Sequence, residues 1–212
     1  MYPINLQIEG LPCLVIGGGH IALRKIRRLL EEKAQVTVLA PEVIEPIAAL
    51  LEEKKVSWVK DRYQPGMAGA YRLVMTACGI RQVAEAVHQE SLVHHFLYNA
   101  ADFPPLGNCH LPASFKKGDI QVTVSTEGRS PAISRYLKEW LMGEFPPHLE
   151  DWLDRVGFMR QELKEHFQES RKREAFWHSA FTDEVMELVT EGKLDEAEER
   201  VRHAIGCIGT EP

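Results

Sequence analysis

LVIGGGHIALRK, residues 14–25, runs from an apolar, β-branched segment straight into three consecutive glycines and out into a helical pattern. Gly17, Gly19 and Ala22 fit G-x-G-x-x-G/A, where the first glycine turns the chain, the second lets backbone approach a pyrophosphate, and the third small residue packs helix on strand. The run LPCLVI from Leu11 to Ile16 reads as a buried strand feeding that turn. Beyond it Ala22, Ile26, Leu29 and Leu30 recur at helical spacing. Arg24, Lys25, Arg27 and Arg28 take the other side and read as a solvated helix face, with phosphate contact as the second reading. Strand, glycine turn and helix together predict a dinucleotide cradle. Its contacts are Gly17, Gly18, Gly19, His20 and Ile21, at a helix start whose amides face the phosphates.

Further along, the same fingerprint calls for an acidic residue after the second strand, to accept ribose hydroxyls. VTVLA at 36–40 is that strand, and Glu42 is the nearest carboxylate. The competing reading of Glu42 is a first-turn acid facing a helix dipole, since EVIEPIAALLEEK is helical in pattern. No arginine follows the strand to meet a 2′-phosphate, which favours NAD over NADP. Strands at VSWV (56–59), RLVMTA (72–77) and FLYNA (96–100), with RQVAEAVHQESLV helical between the last two, continue the alternation. Alternating strands and helices predict an α/β fold, a Rossmann-like parallel sheet domain.

That rhythm stops near residue 110. LPASF, a turn at KKGD and IQVTVS predict an antiparallel hairpin. Ser130 and Pro131 then fit the N-cap and first position of a helix over AISRYLKEWLM. After Pro146 and Pro147 the chain is helical and charged, with Phe158, Leu163, Phe167, Val185, Leu188 and Val189 as candidates for its buried faces. Three parts are expected: a 1–112 NAD-binding domain, a 113–145 β-hairpin and helix dimerisation segment, and a small all-helical domain over 146–212. One hairpin and one amphipathic helix bury too little of their own surface, so 113–145 is expected to pair with a second copy in a homodimer.

With 25 basic against 31 acidic residues the net charge is -6, which opposes attraction to nucleic acid or an anionic membrane. No apolar run reaches the roughly 20 residues of a membrane helix, and MYPINLQIEG lacks the pattern of a secretory leader. Cys13, Cys78, Cys109 and Cys207 stand far apart without a CxxC pair, so no metal site is expected and reduced thiols in a cytoplasmic protein are the simple reading.

In an open parallel sheet, ligands lie beyond the carboxyl ends of the strands. Thr76, Asn99 and Asp102 fall there. Asp102, closing YNAAD, is placed to receive a proton as hydride leaves a substrate, against the alternative of a turn aspartate before Phe103-Pro104-Pro105. Thr76 and Asn99 are candidates for hydrogen bonds to the nicotinamide or ribose, against the alternative of satisfying loop backbone.

GGGHIALRK, VTVLAPE, YNAAD and then LPASFKKGDIQVTVSTEGRSPAISRYLKEWL resemble the precorrin-2 dehydrogenase module of sirohaem synthases. STEGRSP after such a hairpin is the specific stretch, because generic dinucleotide folds lack it. The resemblance implies oxidation of precorrin-2 to sirohydrochlorin with NAD, and in many members insertion of ferrous iron to give sirohaem. It carries the family's essential aspartate onto Asp102, its glycine loop onto Gly17, Gly18 and Gly19, and the serine of its SP motif onto Ser130. A carboxylate-rich tetrapyrrole requires local positive charge on an acidic protein, and Lys116, Lys117, Arg129 and Arg135, with the helix start at Ser130, are the expected patch, against the alternative that Lys116 and Lys117 are plain turn and surface lysines. TACGI stands where many relatives carry acidic residues after the fourth strand. A nucleotide sensor without catalysis is the reading from another class, and Asp102 argues against it.

Overall fold

In the computed structural model, which describes residues 1–166 and 168–208, the chain divides into two compact units that meet between Leu111 and Pro112. The first unit alternates as the glycine turn predicts: β1 (Pro12–Ile16), α1 (His20–Glu31), β2 (Gln35–Leu39), α2 (Glu45–Glu52), β3 (Ser57–Val59), β4 (Leu73–Thr76), α3 (Arg81–His94) and β5 (Leu97–Ala100). All neighbouring strands pair parallel, in the order β3-β2-β1-β4-β5. The chain winds outward from β1 through β2 to β3, then returns to lay β4 on the other side of β1. That reversal is the switch point at which such sheets bind ligands.

Successive side chains of a strand point to opposite faces, and both faces here are covered. Cys13 and Val15 pack with Ala22, Ile26 and Leu29 of α1 and Ile47 of α2, while Leu14 and Ile16 pack with Val87 of α3 and Tyr98. The helix pattern over 42–54 narrows to α2, because Ile44 is extended and Pro46 sits in the first turn. Pro supplies the fixed φ that suits a helix start.

The second unit opens with the expected hairpin, β6 (Ala113–Lys117) and β7 (Ile120–Val124), antiparallel with Lys117 opposite Ile120. The turn is therefore only Gly118-Asp119, and Gly118 adopts φ 53, as a two-residue hairpin requires at its first central position. Five helices follow: α4 (Pro131–Gly143), α5 (Leu149–His166), α6 (Ser170–Ala180), α7 (Asp183–Thr190) and α8 (Leu194–Ile208). Trp152, Met159, Leu163, Phe176, Val185, Val189 and Val201 form the core of α5 to α8, with Leu188 packed against it, while α4 packs on β6 and β7. Phe158, expected inside, is 73% exposed. The buried stripe of α5 runs through Trp152, Met159 and Leu163, and one residue's rotation carries Phe158 off it. Phe167 lies outside the described residues.

Candidate functional site

The glycine loop joins β1 to α1, and its glycines are required for different reasons. Gly17 has φ 137, and a Cβ there would lie 2.4 Å from the Ala77 carbonyl oxygen. A Cβ on Gly18 would lie 1.9 Å from the Glu42 carbonyl oxygen. At Gly19 a Cβ meets nothing within 4 Å, so this face of the loop is open. Gly19 is also the N-cap of α1, with no side-chain cap and no acidic residue in the first turn. The first amides of a helix have no partner within it, so the N–H groups at His20 and Ile21, in the first turn of α1, are donors without an intrahelical acceptor. This is the geometry a pyrophosphate needs: free donors, a positive helix end and no side chain in the way.

Glu42 is exposed and stands in the loop between β2 and α2, three residues before the helix begins. It is thus not a first-turn acid; Glu45 is. The two loops are fastened together, because the Ile44 amide donates to the Gly18 carbonyl at 2.9 Å. The backbone of residue 42 is thereby held against the glycine loop.

Asp102 is exposed just past the carboxyl end of β5, and its Oδ2 accepts the Gly79 amide at 2.8 Å. Gly79, with φ 69, lies in the turn after β4. The TACGI departure therefore supplies a backbone donor to the aspartate. Burial pushes the thiol of neighbouring Cys78 up, and the Asp102 charge adds to that.

Thr76 and Asn99 sit at strand ends as expected, but both are buried. The Thr76 hydroxyl bonds Tyr98 Oη at 2.9 Å, and Tyr98 Oη donates to the Ala84 carbonyl. Burial pushes the Tyr98 phenol up to about 12. Asn99 Oδ1 accepts from Lys25 Nζ at 2.7 Å, and its Nδ2 donates to the Cys109 carbonyl at 3.0 Å. The polar atoms of both residues are committed within the protein.

Lys25 is the group the sequence reading misplaced. It is not on the solvated face with Arg24, Arg27 and Arg28 but buried, at 9% exposure. Its position, three residues after Ala22 and four before Leu29, places it on the inner face of α1, and that spacing was the available signal. Burial, then the charge of Arg24, lowers its amine to about 8, against the opposing pull of Cys109 and Asp102.

In the second unit Ser130 caps α4, its side chain accepting from the Ile133 amide at 3.3 Å. Arg129 and Arg135 are exposed beside that helix start. Lys116 lies in β6 opposite Gln121, toward the hairpin turn, and Lys117 is likewise a strand residue. The hairpin thus separates Lys116 along its length from Arg129 and Ser130.

A family model described as "Putative NAD(P)-binding" matches residues 4–113, more than half of the chain. The chain belongs to this NAD(P)-binding family. Beyond that domain, a second family model, described as "Sirohaem synthase dimerisation region", matches residues 148–205. It covers the helices from α5 onward, whereas the sequence expectation put the dimer contact at 113–145. Siroheme synthase of Pseudoalteromonas translucida (strain TAC 125) is 28% identical over 205 residues, 97% of this chain and 43% of that protein. Siroheme synthase of Actinobacillus pleuropneumoniae serotype 3 (strain JL03) is 30% identical over 197 residues, 92% of this chain and 40% of that one. The chain thus spans about two-fifths of the length of these relatives. A solved structure titled "SirC, precorrin-2 dehydrogenase" superposes with a TM-score of 0.74 at 24% identity, covering 94% of this chain and 100% of that one, and so shares its fold. The two family matches, in this order, bear out the resemblance to the sirohaem synthase module. Among the described residues no helix is long and apolar enough to cross a membrane.

Proposed function

We propose that the protein oxidises precorrin-2 to sirohydrochlorin with NAD, a step of sirohaem biosynthesis carried out in the cytoplasm. The observation that supports this best is the Asp102 carboxylate, exposed beyond β5 at the carboxyl end of the sheet whose β1 opens into the glycine loop. Oxidation of the reduced tetrapyrrole removes a hydride and a proton. The bound dinucleotide supplies the hydride acceptor. Asp102 receives the proton, acting as general base while Gly79 N–H keeps one carboxylate oxygen in place.

Gly17, Gly18 and Gly19, with the amides of His20 and Ile21, hold the pyrophosphate, and Glu42 accepts the ribose hydroxyls. A carboxylate at that point repels a 2′-phosphate, hence NAD rather than NADP. Thr76 and Asn99, their polar atoms bonded internally, shape the wall near the nicotinamide rather than donate to it. In the second unit Arg129, Arg135 and the capped start of α4 at Ser130, with Lys116 nearer the hairpin turn, suit the acid side chains of the substrate. Where ferrous iron is also a substrate, Asp102 collects the pyrrole N–H protons as the ion enters. Pairing with a second copy accords with α4, which leaves Ile133, Tyr136 and Trp140 exposed at helical spacing.

The test is anaerobic incubation of the purified protein with precorrin-2 and NAD⁺, following NADH and the tetrapyrrole spectrum, with and without ferrous ion. NADH formed together with sirohydrochlorin supports the dehydrogenase. NAD⁺ binding without turnover overturns it in favour of a sensor.

A further inference from the structure

A lysine taken inside a dinucleotide-binding domain sheds most of its hydration, and such a group is tolerated only where it is hydrogen-bonded. Lys25 is held by Asn99, and the bond has a directional consequence. Asn99 Oδ1 faces the Lys25 ammonium at 2.7 Å and Nδ2 faces the Cys109 carbonyl at 3.0 Å. Turned over, the amide would set its NH₂ against the ammonium and its oxygen against a carbonyl, so only one orientation is possible. The Asn99–Cys109 bond closes the segment 100–108, which contains Asp102. The same segment is closed by Asn108, whose side chain accepts the Tyr98 amide and donates to the Phe96 carbonyl, and by the Asn108 and Cys109 amides on the Tyr98 carbonyl. Of these closing bonds, the one made by the Asn99 side chain is oriented by a lysine from the glycine-loop helix.

We propose that Lys25 is a positioning residue for the reaction: its buried ammonium locks the Asn99 side chain, and the locked side chain, bonded to the Cys109 carbonyl, fixes how the loop that presents Asp102 is seated on β5. The proposal rests on the reading of Asp102 as proton acceptor. The charged and titratable groups around Lys25 are Arg24 and Arg28 on its own helix, and Asp102 and Cys109 beyond β5. Burial pushes the Cys109 thiol up to about 11, so it stays neutral where Lys25, at about 8, gives up its proton. A neutral amine makes a weaker bond than an ammonium. The lock loosens on the alkaline side.

Two readouts on the intact protein test this. The first is the pH dependence of kcat for precorrin-2 oxidation in wild type, K25R and K25M; an arginine keeps its charge throughout the range. Wild-type kcat is expected to fall through a midpoint near pH 8. K25R, whatever its absolute rate, holds its kcat across that range, and K25M is slow at every pH. A merely structural lysine lowers rates without moving this limb. The second readout is the side-chain NH₂ signal of Asn99 by NMR, expected to titrate with the same midpoint in wild type and not in K25R. A wild-type profile coincident with K25R through pH 8, or an Asn99 signal that does not respond there, overturns the proposal. Absence of turnover in wild type counts against the dehydrogenase reading, and the Asn99 signal then decides the lock by itself.

Discussion

Asp102 Oδ2 and the Gly79 amide lie 2.8 Å apart, so the end of β5 is tied to the turn that leaves β4. One carboxylate oxygen is thereby occupied, and on the proposed reading the other meets the substrate. Asp102→Asn keeps an oxygen able to accept the same N–H while losing the capacity to take up a proton. Its kcat for precorrin-2 oxidation is expected to fall by about 10²- to 10⁴-fold, with melting temperature and NAD⁺ affinity little changed. A variant turning over near the wild-type rate would remove Asp102 from the chemistry.

The glycine loop makes a prediction in two opposite parts. In Gly18→Ala the new methyl collides with the Glu42 backbone at 1.9 Å, and the protein should lose ~1–3 kcal/mol of stability. In Gly19→Ala the methyl enters open space, so thermal unfolding stays where it was. Dinucleotide affinity should nonetheless drop at least about tenfold, ~1.4 kcal/mol, because the methyl occupies the face a pyrophosphate approaches. Melting curves and a fluorescence titration with NADH separate the two effects.

Glu42 sets cofactor choice on this reading. Glu42→Gln removes the charge that receives the ribose and repels a 2′-phosphate. The preference for NAD⁺ over NADP⁺, measured as the ratio of their Kd values, should shrink by about tenfold, near the lower end of what a hydrogen bond to a charged group contributes.

Lys25 also leaves a mark on stability. Its amine falls from the ordinary 10.5 to about 8 in the folded protein. Below pH 8 both folded and unfolded chains carry the proton, and burial of the charge counts fully against folding. Between 8 and 10.5 the unfolded chain still binds the proton while the folded one has released it, so stability rises with pH. Relative to Lys25→Met, in which this term is absent, wild type should gain about 3 kcal/mol between neutral pH and pH 10.5. Urea unfolding of both proteins across that range measures it. A constant difference would mean the amine titrates in its ordinary range.

The sheet was legible because Gly17, Gly19 and Ala22 lie between a β-branched run and a helical period, and Ser130-Pro131 marked a helix start by capping chemistry alone. For Lys25 the spacing from Ala22 and Leu29 pointed inward, but a charge among three arginines reads as solvent-facing until a partner is known, and Asn99 lies 74 residues away. Glu90 escaped for the same reason. It is buried, and accepts from Tyr63 Oη and from the amides of Gly66 and Ala68 in the loop before β4. Local patterns reveal which way a residue faces, and long-range polar pairs reveal themselves only once strands and helices are set side by side. Phe158 fails more simply, since a single step along α5 turns a side chain from the core to water.

The Gly18 carbonyl accepts the Ile44 amide, and a Cβ on Gly18 would meet the Glu42 carbonyl, so the turn after β1 and the turn after β2 are fastened directly to each other. On the proposed reading a dinucleotide meets a mould already cast, and its capture needs no loop ordering beforehand. Descendants of this chain that exchange one nicotinamide cofactor for the other have their easiest route in the side chain at residue 42, since reshaping either loop would unseat its neighbour.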